Sequence, residues 1–217
     1  DVNQADAEGN TVLMNAAMAN RDTAVFAILL PKVKNINAAN AKGLTALTMA
    51  VSSNAAPIVN LLIDNGASLS AVDKDGNNLA YYLVQSYAPD NGRQAAGTQS
   101  RAQEFEQKLK ALQSKGFNIA TPQKNGNTLY HLAVAKGDIS LVKRFEDLSI
   151  DINAKNSEGI TALHKAAMIS KDDSMLKYLL SAGAKKDPKT NFDESAFDLA
   201  SENESLSKGN VSLSFLK

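Results

Sequence analysis

A glycine-centred signature recurs along this chain of 217 residues at nearly constant spacing. Its five copies are Glu8-Gly9-Asn10-Thr11, Lys42-Gly43-Leu44-Thr45, Asp75-Gly76-Asn77-Asn78, Asn125-Gly126-Asn127-Thr128 and Glu158-Gly159-Ile160-Thr161. Successive glycines lie 34, 33, 50 and 33 residues apart, and a further step of 34 reaches Asp193 in a degenerate copy. A period near 33 residues is typical of helical solenoids. The chain is therefore predicted to be an array of repeats.

Each repeat shows the same internal order. The glycine is followed by Thr, or by Asn78 in the third repeat, and then by an apolar run rich in small residues. About ten residues later a second apolar run follows, such as Val59-Asn60-Leu61-Leu62. This order predicts a turn and two short helices in every repeat, with the turn glycine at positive φ, where glycine has no steric penalty.

The sequences of the repeats resemble those of the ankyrin family. Thr45-Ala46-Leu47-Thr48 and Thr161-Ala162-Leu163-His164 match its T-P-L-H run, and Leu179-Leu180-Ser181-Ala182-Gly183-Ala184 matches its L-L-x-x-G-A run. The resemblance covers essentially the whole chain. It implies an all-α solenoid of stacked helix-turn-helix units, joined by β-hairpin-like loops. It also implies a left-handed residue at the end of the first helix, at Asn20, Asn54 and Gly137.

We expect one domain over residues 1–217. Its repeats are predicted at 6–39, 40–72, 73–122, 123–155 and 156–189, followed by a capping repeat at 190–217. The third repeat carries an insertion near 88–100 whose composition is that of a loop. Ala102, Phe105, Leu109 and Leu112 then recur at helical spacing, which places the insertion between the two helices and predicts a longer or later second helix.

Composition argues against several functions. The 23 basic and 23 acidic residues balance without long runs, which argues against nucleic-acid binding. No apolar stretch approaches the ~20 residues that a spanning helix needs, so we expect a soluble segment without membrane insertion. The only histidines, His131 and His164, both stand in the T-x-L-H run and are interpreted as structural. We expect no metal, no cofactor and no enzymatic activity.

The resemblance implies that partners are held by the hairpin tips and by the exposed side of the first helices. The candidate contact residues at these positions are Met18, Lys42, Leu44, Lys74, Asn77, Tyr81, Asn127, Ile160, Met168, Ile169 and Phe192. The apolar ones among them either form an interrupted interaction strip on the concave face or pack against neighbouring hairpins. Tyr81 either contacts a ligand together with the insertion or belongs to a bulkier core.

The favoured function is a non-enzymatic scaffold that binds a protein or peptide on its concave face, with Leu44, Tyr81, Ile160 and Met168 as the strongest contacts. The alternative is a structural spacer, a segment of a longer repeat protein. We expect a monomer, whereas partner identity and compartment stay open. The opening residues Asp1-Val2-Asn3-Gln4-Ala5-Asp6 read like a junction between two repeats, so we expect further repeats or a removed leader before them.

Overall fold

The computed structural model describes residues 1–89, 100–209 and 211–217. Its α-helices pair within the predicted repeats, so the helix-turn-helix prediction is confirmed. They are α1 (Val12–Ala19), α2 (Thr23–Leu29), α3 (Ala46–Ser53), α4 (Ala56–Asp64), α5 (Leu79–Ser86), α6 (Arg101–Ser114), α7 (Leu129–Lys136), α8 (Ile139–Lys143), α9 (Ala162–Ile169), α10 (Ser174–Ser181), α11 (Ala196–Glu202) and α12 (Glu204–Lys208). Short 3-10 helices occupy Leu30–Lys32, Glu146–Leu148 and Ser214–Leu216.

The chain divides into two compact bodies, Asp1–Ile119 and Ala120–Lys217. In the N-terminal body α1 packs on α3 and α3 on α5, while α2 packs on α4 and α4 on α6. In the C-terminal body α7 packs on α9 and α9 on α11. Within each body, the helices of one repeat thus pack on those of the next. A single domain over the whole chain stays a prediction.

The residue after the turn caps the first helix of each repeat; it is Thr or Ser except in the third repeat, where Asn78 accepts the amide of Ala80. Thr45 is the N-cap of α3, and its side-chain oxygen accepts the amide of Thr48, whose own hydroxyl accepts the amide of Thr45. This reciprocal capping box satisfies two amides that the first helical turn leaves without partners. Thr161 and Ser195 make the same arrangement for α9 and α11.

The loops between repeats are hairpin-like and are hydrogen-bonded to one another. In the second loop the amide of Asn40 donates to the carbonyl of Leu44, and Gly43 closes the turn with a φ of 82°. The amide of Ala41 then donates to the carbonyl of Glu8 in the loop before, at 3.0 Å. The predicted positive φ is confirmed at all five turn glycines, which are Gly9, Gly43, Gly76, Gly126 and Gly159.

The third repeat has the longest helix in the described part of the chain. α6 spans 14 residues and starts with a capping box between Ser100 and Gln103. Phe105 is fully buried on its inner face and meets Tyr87 edge-to-face, with ring centroids 5.4 Å apart. The predicted late, long second helix is therefore confirmed. Most of the insertion predicted near 88–100 falls on residues 90–99, which lie outside the described residues.

The expectation of left-handed residues at the ends of the first helices was right for Gly137 and wrong for Asn20 and Asn54. Gly137 has a φ of 72°, whereas both asparagines are extended, with φ near −106° and −111°. Asn54 has another role. Its side-chain amide donates to the carbonyls of Ala17 and Asn20 at the end of α1, at 2.9 and 2.8 Å. An extended backbone turns this amide towards the preceding repeat and closes two helix-terminal carbonyls.

Removing this amide tests its contribution to stability. We expect Asn54→Ala to lower the free energy of unfolding by about 2 kcal/mol, because the buried carbonyl of Ala17 and the partly buried carbonyl of Asn20 lose their donor. Asn20 occupies the same position in the first repeat, and among the described residues its side chain bonds the amide of Asp22 alone, so Asn20→Ala should cost less than about 1 kcal/mol. Urea unfolding followed by circular dichroism measures both values. Equal losses of unfolding free energy in the two variants would contradict a stabilising role for the hydrogen bonds from Asn54 to the preceding repeat.

The last repeat differs from the others in its second helix, and its role as a cap stays a prediction. α12 is only five residues long, and the segment after it folds back so that Leu216 is buried. The Lys217 ammonium lies 4.9 Å from the ring centroid of Phe197, over its face. Asp198 and Glu202 stay exposed on α11.

Candidate interaction surface

In the N-terminal body, the predicted contact residues lie at the loop tips and along the exposed edges of the first helices. Met18 is half-exposed near the end of α1, and Lys42 and Lys74 are exposed at successive loop tips. Leu44 is half-buried, and its amide donates to the Asn40 side chain. The loop tips therefore present lysine ammonium groups to solvent, while Leu44 contributes partly to its own hairpin.

Tyr81 and its neighbour Tyr82 form an aromatic pair on α5. Their rings meet edge-to-face, with centroids 5.2 Å apart. The Tyr82 hydroxyl donates to the Asp73 carboxylate, which also accepts the Asn77 side-chain amide at 2.9 Å. Partial burial alone would raise the pKa of Asp73, but these hydrogen bonds outweigh it and hold that pKa below its ordinary value. Asn77 is thus held within its own loop, and Tyr81 is half-buried.

In the C-terminal body, the predicted residues fall into two groups. Asn127 takes part in a contact between loops, because its side-chain oxygen accepts the side-chain amide of Asn156 at 2.9 Å. Ile160 is half-buried, and its carbonyl accepts the backbone amide of Asn156. Met168 and Ile169 end α9 and are 44% and 43% exposed, and Phe192 is 80% exposed. The second group is therefore a set of large apolar side chains in contact with water.

Both histidines hold their repeats together, as predicted from the T-x-L-H run. The Thr128 amide donates to His131 Nδ1 at 3.1 Å, so the proton is on Nε2, which donates to the carbonyl of Ile160 at 2.8 Å. His164 Nδ1 accepts the amide of Thr161 in the same way. Burial lowers the pKa of His131 and of His164, which favours the neutral rings.

A groove beside α9 was not predicted from the sequence. It has a volume of about 830 Å³ and lies where α7 and α9 end and α10 begins. Val134, Ile139, Ile169 and Met175 supply apolar lining, and Lys136 and Lys171 add charge. Ile169 belongs both to this groove and to the predicted contact set. The signal in the sequence was the pair Met168-Ile169 at positions where the second and third repeats have Ser52-Ser53 and Gln85-Ser86.

The apolar residues of the predicted strip differ in exposure, which bears on whether they form an interaction strip or pack against neighbouring hairpins. Met18, Met168, Ile169 and Phe192 are exposed, whereas Leu44 and Ile160 are half-buried within their loops. Val12, Ile28 and Val72 are further exposed large apolar residues that the prediction did not include. Whether any of these residues touches a partner stays a prediction.

Within 1–89, 100–209 and 211–217, no three His, Cys, Asp or Glu side chains come together as metal ligands would. None of the helices in those ranges is both long and apolar enough to cross a lipid bilayer. The surface consists of backbone loops, amides, lysines and exposed apolar side chains.

Comparison with known proteins agrees with the repeat geometry. The family model described as "Ankyrin repeats (3 copies)" matches residues 1–73, 71–190 and 130–208. The chain belongs to the ankyrin-repeat family. Ankyrin repeats are generally protein-protein interaction modules and non-enzymatic scaffolds. The family therefore accounts for the stacked helix pairs, the turn glycines and the capping threonines.

Individual relatives share parts of the sequence or the fold. A putative ankyrin repeat protein of Acanthamoeba polyphaga mimivirus is 28% identical over 178 residues, which is 72% of this chain but only 23% of that protein. The crystal structure of the ankyrin repeat protein EF0377 has a TM-score of 0.66 at 24% identity and covers 90% of this ankyrin chain and 94% of its own. A chain in the structure of the Bd0816 predatory endopeptidase from Bdellovibrio bacteriovorus, in complex with immunity protein Bd3460, has a TM-score of 0.61 at 22% identity. That match covers 94% of this chain and 99% of the other.

Proposed function

We propose that this ankyrin-repeat protein is a non-enzymatic scaffold that binds a protein or peptide on its concave face. The observation that carries the proposal is the exposure of Met168 and Ile169 at the end of α9, beside the groove of about 830 Å³. Two adjacent large side chains in contact with water are unfavourable unless something else covers them. Exposed apolar clusters with a polar rim often mark interaction sites.

The other predicted contacts have supporting roles in this proposal. Phe192 extends the apolar surface of the C-terminal body, and Lys42 and Lys74 present charge at the loop tips of the N-terminal body. Leu44, Tyr81 and Ile160 expose only part of their side chains, so each can contribute a partial contact. A rigid surface of this type loses little ordering entropy on binding. One structural relative comes from a protein-protein complex, which fits such a use of the fold.

A structural spacer is the second candidate. Its support is the length of the mimivirus relative, of which this chain spans 23%. In a long repeat protein a middle segment can hold other parts at a distance without binding a separate partner. Under this alternative, the apolar pair on α9 would meet another part of the same polypeptide.

The test is affinity capture from an extract of the source organism, followed by calorimetry with each captured protein after purification. We expect Met168→Lys together with Ile169→Lys to weaken binding at least about tenfold, as loss of central contacts does. The matched control is Ile28→Lys together with Val72→Lys, which changes two exposed apolar residues outside the predicted surface.

The control pair should bind like the parent, and circular dichroism should show both variants folded. A partner that binds the parent and both variants with equal affinity would remove α9 from the interface. If no captured protein binds the parent in calorimetry, the result favours the structural spacer over the scaffold.

A further inference from the structure

The second helix of the third repeat begins much earlier than that of the fifth repeat. α6 has 14 residues and α10 has eight, and each ends two residues before a glycine with positive φ, Gly116 and Gly183. Aligned on these glycines, α6 has six additional residues at its start, 101–106, which we call the α6 extension. Its Phe105 is fully buried, and Ala102 is 6% exposed. The third repeat therefore contains a buried helical segment that α10 lacks.

The α6 extension lies against the ends of neighbouring helices. Phe105 meets the ring of Tyr87, the C-cap residue of α5, edge-to-face. The carboxylate of Glu104 accepts two hydrogen bonds from the guanidinium of Arg21, which lies in the loop between α1 and α2. A doubly bonded pair of this kind fixes orientation as well as adding energy. The extension is thus held by a buried aromatic side chain and by the carboxylate directly before it.

The groove beside α9 lies at the counterpart place in the C-terminal body. Ser170 is the C-cap residue of α9 as Tyr87 is of α5, and Val134 is the sixth residue of α7 as Val51 is of α3. In the third repeat, Tyr87 packs on the α6 extension, and the Val51 carbonyl accepts the Lys108 ammonium at 2.8 Å. In the fifth repeat no extension precedes α10, and Val134 and Ser170 line the open groove of about 830 Å³.

The lining of this groove combines apolar side chains with basic ones. Its apolar members are Val134, Ile139, Ile169 and Met175. Ile169 is 43% exposed, so the groove leaves apolar surface in contact with water. Lys136 and Lys171 are exposed lining residues, whereas the lining carboxylate of Asp172 already accepts the Ser174 amide at 2.9 Å. The volume lies in the range of binding pockets, and the lysines complement an acidic occupant.

We propose that the groove binds an amphipathic helix of a separate protein, in which an acidic residue directly precedes an aromatic one, as Glu104 precedes Phe105 in the α6 extension. The ring packs on Ile169 and the other apolar lining residues, and the carboxylate pairs with Lys136 or Lys171. Amphipathic helices bind apolar grooves through such anchors. This inference names the class of partner for the proposed scaffold and rests on that function.

A second copy of this chain does not offer such a helix. Glu104-Phe105 is the only place in the sequence where an acidic residue directly precedes an aromatic one. Phe105 is fully buried within its own body, so it is not presented to another molecule. The helix that fits the groove therefore comes from a different protein.

The experiment uses a fluorescein-labelled peptide with the sequence of residues 100–114 and the full chain as receptor. Fluorescence anisotropy should show saturable binding at micromolar concentrations. Circular dichroism of the mixture should show more helix than the sum of its components, because an isolated helix of this length is marginal in water. Phe105→Ala in the peptide should weaken binding at least about tenfold, as loss of a central aromatic anchor does.

A charge reversal in the receptor locates the peptide. Lys136→Glu together with Lys171→Glu should weaken binding of the peptide about fivefold or more, because pairing across the interface becomes repulsion. The same receptor variant should bind a peptide carrying Glu104→Lys more tightly than the parent receptor does. The matched control is Lys124→Glu together with Lys185→Glu, which changes two exposed lysines of the same body outside the groove lining and should leave binding unchanged.

Three results would overturn the proposal: no binding of the peptide, binding without a gain of helix, or equal affinity for the parent and the groove-reversed receptor. The scaffold function is judged separately. A captured protein that needs Met168 and Ile169 but binds the groove-reversed receptor like the parent would leave the scaffold in place and overturn the acidic helix. Self-association of the parent chain that the peptide disrupts would also overturn it, because a second copy would then occupy the groove.

Discussion

Gly43→Ala is expected to lower the free energy of unfolding by roughly 2 to 5 kcal/mol. The first part of the loss is conformational, because φ is 82° and an alanine in left-handed backbone costs about 1 to 2 kcal/mol. The second part is steric. A Cβ on Gly43 would lie 2.9 Å from the amide nitrogen of Lys74 and 3.0 Å from Cα of Asp73, both backbone atoms of the next loop. Forcing the loops apart adds about 1 to 3 kcal/mol.

Gly66→Ala separates the two parts. Gly66 also has a positive φ, of 94°, but a Cβ there would meet no atom within 4 Å. This variant should lose only the conformational part, about 1 to 2 kcal/mol. Urea unfolding of both variants at one temperature gives the difference. If Gly43→Ala and Gly66→Ala cost the same, the close approach of the loops contributes nothing to stability.

The stability of the protein is expected to rise with pH between about 8 and 10.5, by an amount on the order of 3 kcal/mol. The group responsible is Lys108 on α6, whose side chain is 3% exposed and whose ammonium donates to the Val51 carbonyl at 2.8 Å. Burial lowers the pKa of Lys108 from 10.5 to about 8. The unfolded chain therefore binds this proton more tightly than the folded protein, so protonation favours unfolding.

Lys108→Met should remove this dependence and raise stability at pH 7 by about 1 to 2 kcal/mol. The variant avoids the buried charge but loses the donor to Val51, which offsets part of the gain. Lys110→Met is the control, because Lys110 is exposed two residues away on the same helix. Urea unfolding from pH 7 to 10.5 measures all three proteins. A parent and a Lys108→Met variant with parallel pH profiles would show that Lys108 is solvated in solution.

Much of the fold was predictable because the repeats carry local information. The turn glycines, the threonines after them and the apolar runs each act within a few residues, so reading them requires no knowledge of distant neighbours. The same holds for His131 and His164, whose Nδ1 atoms bond the threonine three residues earlier. The family resemblance added the register that joins these local signals.

The sequence predicted which positions could form an interaction surface, but not how far the side chain at each position is exposed. Met168 and Ile169 proved exposed, but Leu44 and Ile160 occupy equivalent tips and are half-buried. Asn54 was assigned a left-handed backbone because asparagine tolerates it, yet its side chain reaches carbonyls on the preceding repeat. The burial and the hydrogen-bond partners of these side chains depend on which residues of the neighbouring repeat lie opposite them. The sequence of one chain does not show which residues these are.

The sequence by itself determined the repeat array, the paired helices, the turn conformations and the late second helix of the third repeat. All of these follow from backbone preferences and periodicity within one repeat. Only the tertiary structure showed the hydrogen bonds from the Asn54 side chain to the preceding repeat, the buried amine of Lys108 and the groove beside α9. Each of these arises where residues distant in sequence meet or fail to meet, and burial and hydrogen bonding depend on that approach.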